Sequence, residues 1–201
     1  MIKKEYIPNI LTILRILLIP IFIFYMLSSN YLIALICFSI ASITDWADGY
    51  FARKFNAISD FGIFWDPIAD KLLVLSAFSL FLQVETLSET IHIWMISIIL
   101  LRDISITALR VIINSKGNIV LVTTKIAKLK TLFQMITIIW ILSSLTFSGI
   151  WGEDVMTKDI SKQLLNISYF LALTTTFLTL YTGIHYYYSN GRKLIHALSN
   201  R

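Results

Sequence analysis

Charge is scarce in this chain. Only 14% of its 201 residues are Asp, Glu, Lys or Arg, while 57% are hydrophobic, against about 45–50% in an ordinary soluble domain. Cysteine is nearly absent. Cys37 stands alone, so no intramolecular disulfide can form, and its apolar neighbours mark it as a small packing residue. There are three prolines and seven glycines. No Pro/Gly-rich linker, internal repeat or low-complexity tract interrupts the chain, which reads as one domain over residues 1–201. The net charge of +5 does not indicate nucleic acid, because the basic residues collect in short connections between apolar runs, as they do in membrane proteins.

The composition therefore describes an all-α integral membrane protein. A bilayer core takes about 20 residues of helix, and six stretches qualify: 9–28, 31–53, 64–84, 91–114, 126–148 and 163–188. The first follows Lys3 and Lys4, as a signal peptide would. It is too long for a signal core, contains Arg15 and precedes no small-residue cleavage site, so it is expected to remain as the first transmembrane helix. Arg53 to Ser59 reads as a polar hairpin, and Gly149 to Lys162 as a mixed-charge loop. Lys3, Lys4, Arg53, Lys54, Lys116 to Lys130, Arg192 and Lys193 fall on one side, with Glu85 and Glu89 on the other. The positive-inside rule then places both termini in the cytoplasm. Tyr186, Tyr187 and Tyr188 read as an interfacial aromatic belt, and Trp94 and Trp140 as anchors or packing.

Four aspartates stand out in this setting. Asp45 and Asp48 are three apart, and Asp66 and Asp70 are four apart, so each pair shares a helix face. The first pair is expected in the last turns of the second helix and the second in the first turns of the third, where Pro67 is tolerated. A carboxylate near hydrocarbon is costly without a cation or a water-filled cavity, which makes such residues functional suspects. A lone aspartate at a helix end is usually a cap. Four, with Gly49, Ala52, Arg53 and Gly62 interleaved, fit a divalent-metal site of hard oxygen donors suited to Mg²⁺, Mn²⁺ or Ca²⁺ rather than Zn²⁺, with Mg²⁺ or Mn²⁺ expected. Four carboxylates are enough for two ions in an in-line phosphoryl transfer. A divalent-cation transporter is the alternative from another class. Transport acids usually lie near the midplane, however, whereas these flank a cytoplasmic hairpin, and Arg53 favours an anionic ligand.

The eight residues Asp45, Asp48, Gly49, Ala52, Arg53, Gly62, Asp66 and Asp70 match the signature D-x-x-D-G-x-x-A-R-x8-G-x3-D-x3-D at every fixed position. The chain thereby resembles the CDP-alcohol phosphotransferases, which move a phosphatidyl or related group from a CDP-linked donor to an alcohol and release CMP. The resemblance implies that Asp45, Asp48, Asp66 and Asp70 hold the metals, with Asp70 also the general base. It implies that Gly49, Ala52, Arg53 and Gly62 line the cytidine diphosphate site, with Asn9 and Thr12 adding to it. A homodimer is implied in the same way.

The acceptor is read from other residues. Pro8-Asn9-Ile10-Leu11-Thr12-Ile13-Leu14-Arg15, Arg102-Asp103 with Arg110, and Lys128-Leu129-Lys130-Thr131 resemble stretches of the bacterial phosphatidylglycerophosphate synthases within that family. Asp103 stands where Glu is usual there, and Ala127 where Gly is usual. The blander readings are an N-cap for Asn9, a snorkelling Arg15, a structural counter-charge for Arg102 from Asp103, and topology signals for Lys128 and Lys130. The resemblance instead implies that Arg15, Arg102, Arg110, Lys128 and Lys130 bind the phosphate of sn-glycerol 3-phosphate. The donor would be CDP-diacylglycerol, and the location a cytoplasmic (inner) membrane with the site facing the cytoplasm. Serine, inositol, inositol phosphate and phosphatidylglycerol are the alternative acceptors.

Overall fold

The computed structural model of the chain describes residues 7–55, 60–115, 125–151 and 155–199. They form six α-helices: α1 (Ile7–Leu27), α2 (Tyr31–Phe55), α3 (Asp60–Phe81), α4 (Ile93–Ser115), α5 (Lys125–Trp151) and α6 (Val155–Ser199). A single 3-10 turn, Glu85–Leu87, joins α3 to α4. No strand occurs among the described residues.

The outside of the bundle is apolar. On α1, Ile10, Leu14, Leu17, Ile21, Phe24 and Leu27 are exposed, while Thr12, Arg15, Ile19, Phe22 and Met26 are buried. The two sets follow the 3–4 spacing of opposite helix faces. Polar residues at the Thr12–Arg15 end point inward and aliphatic ones outward, which inverts the soluble pattern and suits a lipid surround. Exposed Phe170, Phe177, Leu180 and Ile184 extend the same surface along α6. Among the described residues, three stretches, Asn9–Leu27, Leu129–Ile150 and Lys158–Gly191, are long and apolar enough to cross a membrane, and Tyr31–Asp45 is a shorter apolar helix segment.

The α1–α2 turn forms where the sequence changes character at Ser28-Ser29-Asn30. The Asn30 N–H donates to Tyr25 O and the Ser29 N–H to Met26 O, a Schellman closure of α1. It requires a left-handed residue, and Ser29 supplies it with φ 56°. Asn30 then caps α2, its Oδ1 accepting from the Ile33 N–H at 3.3 Å. Small residues Ala34 and Ala41 on α2 are fully buried and bring α1 and α2 together, with Phe22 and Phe38 packed at a ring-centroid distance of 5.7 Å. α1 also lies against α3, so it contacts both helices that carry the aspartates. α2 packs on α5, and α6 packs on both α4 and α5. Pro20 lies inside α1 and leaves the Ile16 carbonyl without its helical donor.

The helices run further than the charge pattern indicates. The expected loop over Gly149–Lys162 is mostly helical: α5 continues to Trp151 and α6 starts at Val155. Beyond the expected end of the last span at residue 188, α6 continues to Ser199. At 45 residues α6 is about 68 Å long, twice the roughly 30 Å of a bilayer core. Charge marks where a helix leaves hydrocarbon, not where its backbone stops. Likewise α2 ends at Phe55, which keeps Asp48 within its last two turns and sets Asp45 one turn earlier, and α3 starts at Asp60, so Pro67 is its eighth residue and not in its first turn. Lys3, Lys4 and Lys116 lie outside the described residues.

Candidate active site

The longer helices set the depth of the acids. Asp45 lies ten residues before the end of α2, and Asp70 ten residues after the start of α3. Each is therefore about 15 Å along its helix from the α2–α3 connection, and the two carboxylates are matched in depth measured from that end. Asp48, Gly49, Ala52, Arg53, Gly62 and Asp66 sit on the intervening helical segments, as does Arg110 on α4 and Lys128 on α5. The surroundings of these eight lie outside the described residues.

Asp45 is held from α1. Arg15 Nη1 approaches Asp45 Oδ1 at 3.1 Å, with the arginine side chain fully buried and the carboxylate 34% exposed. Arg15 is thus no snorkelling residue; it places a guanidinium on a carboxylate of the metal signature. Thr12, one turn earlier, is also fully buried. Asn9 is the third residue of α1 and does not cap it.

Asp70 is held differently. Its Oδ2 pairs with Lys71 Nζ at 3.0 Å, and its Oδ1 is buried with no hydrogen-bond partner among the described residues. An orphaned buried carboxylate oxygen costs about 1–3 kcal/mol or more and marks a place where a proton, a cation or a substrate hydroxyl belongs. This observation fits a metal carried by hard oxygen donors. Among the described residues no three metal-binding groups gather, since Asp48 and Asp66 have side chains outside them.

A second charged cluster lies between α4, α5 and α6. Lys130 Nζ donates to both oxygens of Asp103, at 2.5 and 2.7 Å. Arg102 Nη1 donates to Asp103 Oδ1 at 2.9 Å, and Gln134 Nε2 to Oδ2 at 3.1 Å. Asp103, Lys130 and Gln134 are all but inaccessible to solvent. Arg102 also reaches α6, where Nη2 donates to Thr182 Oγ1 at 3.2 Å. A Cβ on Gly183 would sit 3.0 Å from Arg102 Cγ, so glycine at 183 admits the arginine stem. The structure thus brings Arg102 and Lys130 together on one carboxylate. Arg15 is held elsewhere, on Asp45.

Two members of this arrangement were missed in the sequence. Gln134 had a legible signal, being one turn beyond Lys130 on a polar face continued by Thr137, which shares a 2.7 Å hydrogen bond with Thr175. Lys71 had a weaker one, as a lone cation beside the last aspartate. Of the aromatic belt, Tyr187 and Tyr188 are exposed while Tyr186 is buried. Trp94 is exposed, whereas Trp140 packs toward α6, its Nε1 3.4 Å from Leu164 O.

Comparison with known proteins identifies the family. A sequence model of the family described as CDP-alcohol phosphatidyltransferase matches residues 5–182. The chain is similar to proteins named CDP-diacylglycerol–glycerol-3-phosphate 3-phosphatidyltransferase from several bacteria. The Bacillus subtilis protein is 38% identical over 65% of this chain and 73% of its own length. The Rickettsia typhi protein is 33% identical over 90% of this chain and 94% of its own length. The protein of Shigella flexneri serotype 5b is 37% identical over 74% and 81%. With its signature complete and the match running through all six helices, this chain belongs to the CDP-alcohol phosphatidyltransferase family.

Proposed function

We propose that the chain transfers the phosphatidyl group of CDP-diacylglycerol to sn-glycerol 3-phosphate, giving phosphatidylglycerophosphate and CMP. The observation that carries the choice of acceptor is the positive excess of the cluster between α4 and α6. Two cations, Arg102 and Lys130, share the single carboxylate of Asp103, leaving one positive charge for a ligand. A dianionic acceptor meets that need, and neutral inositol or zwitterionic serine does not. The names of the relatives point the same way.

In this reading Asp45, Asp48, Asp66 and Asp70 hold two Mg²⁺ or Mn²⁺ ions. Such ions would supply charge neutralisation for the diphosphate and for departing CMP. Arg53, with Gly49, Ala52 and Gly62 allowing close approach, receives the cytidine diphosphate, and Asn9 and Thr12 add to that site from α1. Arg15 holds Asp45 in place. Arg102 and Lys130, with Arg110 and Lys128, orient the acceptor through its phosphate. Asp70 Oδ1 takes the proton from the acceptor's primary hydroxyl. The oxygen then bonds to the phosphorus bearing the diacylglycerol, and the bond from that phosphorus to the bridging oxygen breaks, its electron pair leaving with CMP.

All six helices cross the membrane in this account, with both termini and the site on the cytoplasmic side, and the protein pairs as a homodimer. Purified protein in CDP-diacylglycerol vesicles, offered glycerol 3-phosphate, serine, inositol and inositol phosphate in turn, tests the acceptor by CMP release. Release with glycerol 3-phosphate alone is expected. Release with serine or inositol, and none with glycerol 3-phosphate, contradicts this choice and leaves the family intact. A divalent-cation transporter would instead move metal into vesicles without releasing CMP.

A further inference from the structure

Lys71 belongs to neither the aspartate signature nor the basic stretches of α4 and α5, yet it interacts with both. It follows Asp70 on α3, and its ammonium engages Asp70 Oδ2 at 3.0 Å while Oδ1 has no hydrogen-bond partner among the described residues. The same ammonium lies within electrostatic reach of Asp103, Arg102 and Lys130. It is largely enclosed, at 22% exposure, as is Asp70 at 17%. A solvated lysine would place its head in bulk water. This one keeps it on the carboxylate read as the base, within electrostatic reach of the cluster read as the acceptor's phosphate site.

We propose that Lys71 is a positioning residue that couples acceptor binding to the orientation of Asp70. The inference rests on the functional reading above. Holding one carboxylate oxygen fixes the plane of the group and presents the other oxygen to the acceptor hydroxyl. An ammonium has three donors, so engagement with Asp70 leaves donors for the acceptor's phosphate. A dianion drawn in by Arg102 and Lys130 attracts Lys71 as well, and the base is then aligned when the acceptor is present. A neutral acceptor makes no such pull.

Kinetics of Lys71→Met and Lys71→Arg in proteoliposomes, with direct binding of labelled glycerol 3-phosphate, test the proposal. For Lys71→Met, kcat falls at least tenfold, KM for glycerol 3-phosphate and its dissociation constant rise severalfold, and KM for CDP-diacylglycerol stays within twofold. Lys71→Arg, which keeps the charge, recovers most of kcat. Wild-type kcat and KM in Lys71→Met would overturn the proposal, as would equal losses in both variants, which indicate packing. Lys71→Gln repeats the measurement if Lys71→Met does not fold, and failure of every neutral variant to fold also overturns it. A wild-type protein that uses serine and not glycerol 3-phosphate refutes the acceptor reading alone, and kcat of the Lys71 variants with serine then tests the hold on Asp70.

Discussion

Two aspartates in this bundle, Asp103 buried and Asp70 half-buried, have opposite surroundings. Asp103 is saturated: Lys130, Arg102 and Gln134 supply four hydrogen bonds to its two oxygens. Asp70 has one oxygen on Lys71 and one with no hydrogen-bond partner among the described residues. Saturation makes Asp103 a structural anchor and an organiser of cations, because nothing remains on it for a substrate to use. Incompleteness makes Asp70 available. The same contrast separates the two halves of the fold. Around Phe22, Phe38, Ala34 and Ala41, α1 and α2 meet through apolar and small residues. α4, α5 and α6 meet through charges and hydroxyls, including the Thr137–Thr175 bond. In lipid, helices gain little from apolar contact over what the acyl chains offer, so polar pairs fix the second half.

The largest expected effect acts on the available side. Chelation of divalent ions abolishes CMP release, and Mg²⁺ or Mn²⁺ restores it. Unchanged turnover in chelator would remove the metal reading of Asp45 to Asp70. Next comes the saturated side. Asp103→Asn leaves Lys130 and Arg102 without their shared counter-charge, and breaking a buried ionic cluster in this way costs about 3–5 kcal/mol. Thermal unfolding in detergent should show a large drop in Tm, with Asp103→Glu close to wild type; an Asn variant as stable as wild type would show that the cluster does not anchor the helices. Ser29→Gly has a smaller effect of opposite sign. It relieves the left-handed serine at φ 56° and stabilises the α1–α2 turn by about 1 kcal/mol, read as a rise in Tm. Thr137→Val is the smallest, with a loss of about 0.6 kcal/mol, the average for such bonds between membrane helices; a loss as large as that of Asp103→Asn would erase the distinction between charges and hydroxyls in this half.

The family was legible because its signature is written in fixed local spacing. Asp45 to Asp70 span two adjacent helices, and a period of three or four residues assigns each pair to a face. The Arg102–Lys130 pair was legible as a basic group, but its dependence on Asp103 was not, since contact between α4 and α5 depends on how the helices pack. Arg15 was read toward the acceptor phosphate and lies on Asp45, because a helix face alone does not name the neighbour it meets. The ends of α2, α3, α5 and α6 were misjudged for one reason. Lys54, Asp60, Lys158 and Lys193 mark departure from hydrocarbon, and a helix continues into water without penalty when no Gly–Pro break stops it.

Turnover of Asp70→Asn in CDP-diacylglycerol vesicles with glycerol 3-phosphate tests the contrast most directly. The account predicts that CMP release falls by at least about 10²-fold, the scale of a lost general base, while Tm falls far less than in Asp103→Asn, because only the single contact with Lys71 is weakened. An Asp70→Asn variant that releases CMP at the wild-type rate would contradict it.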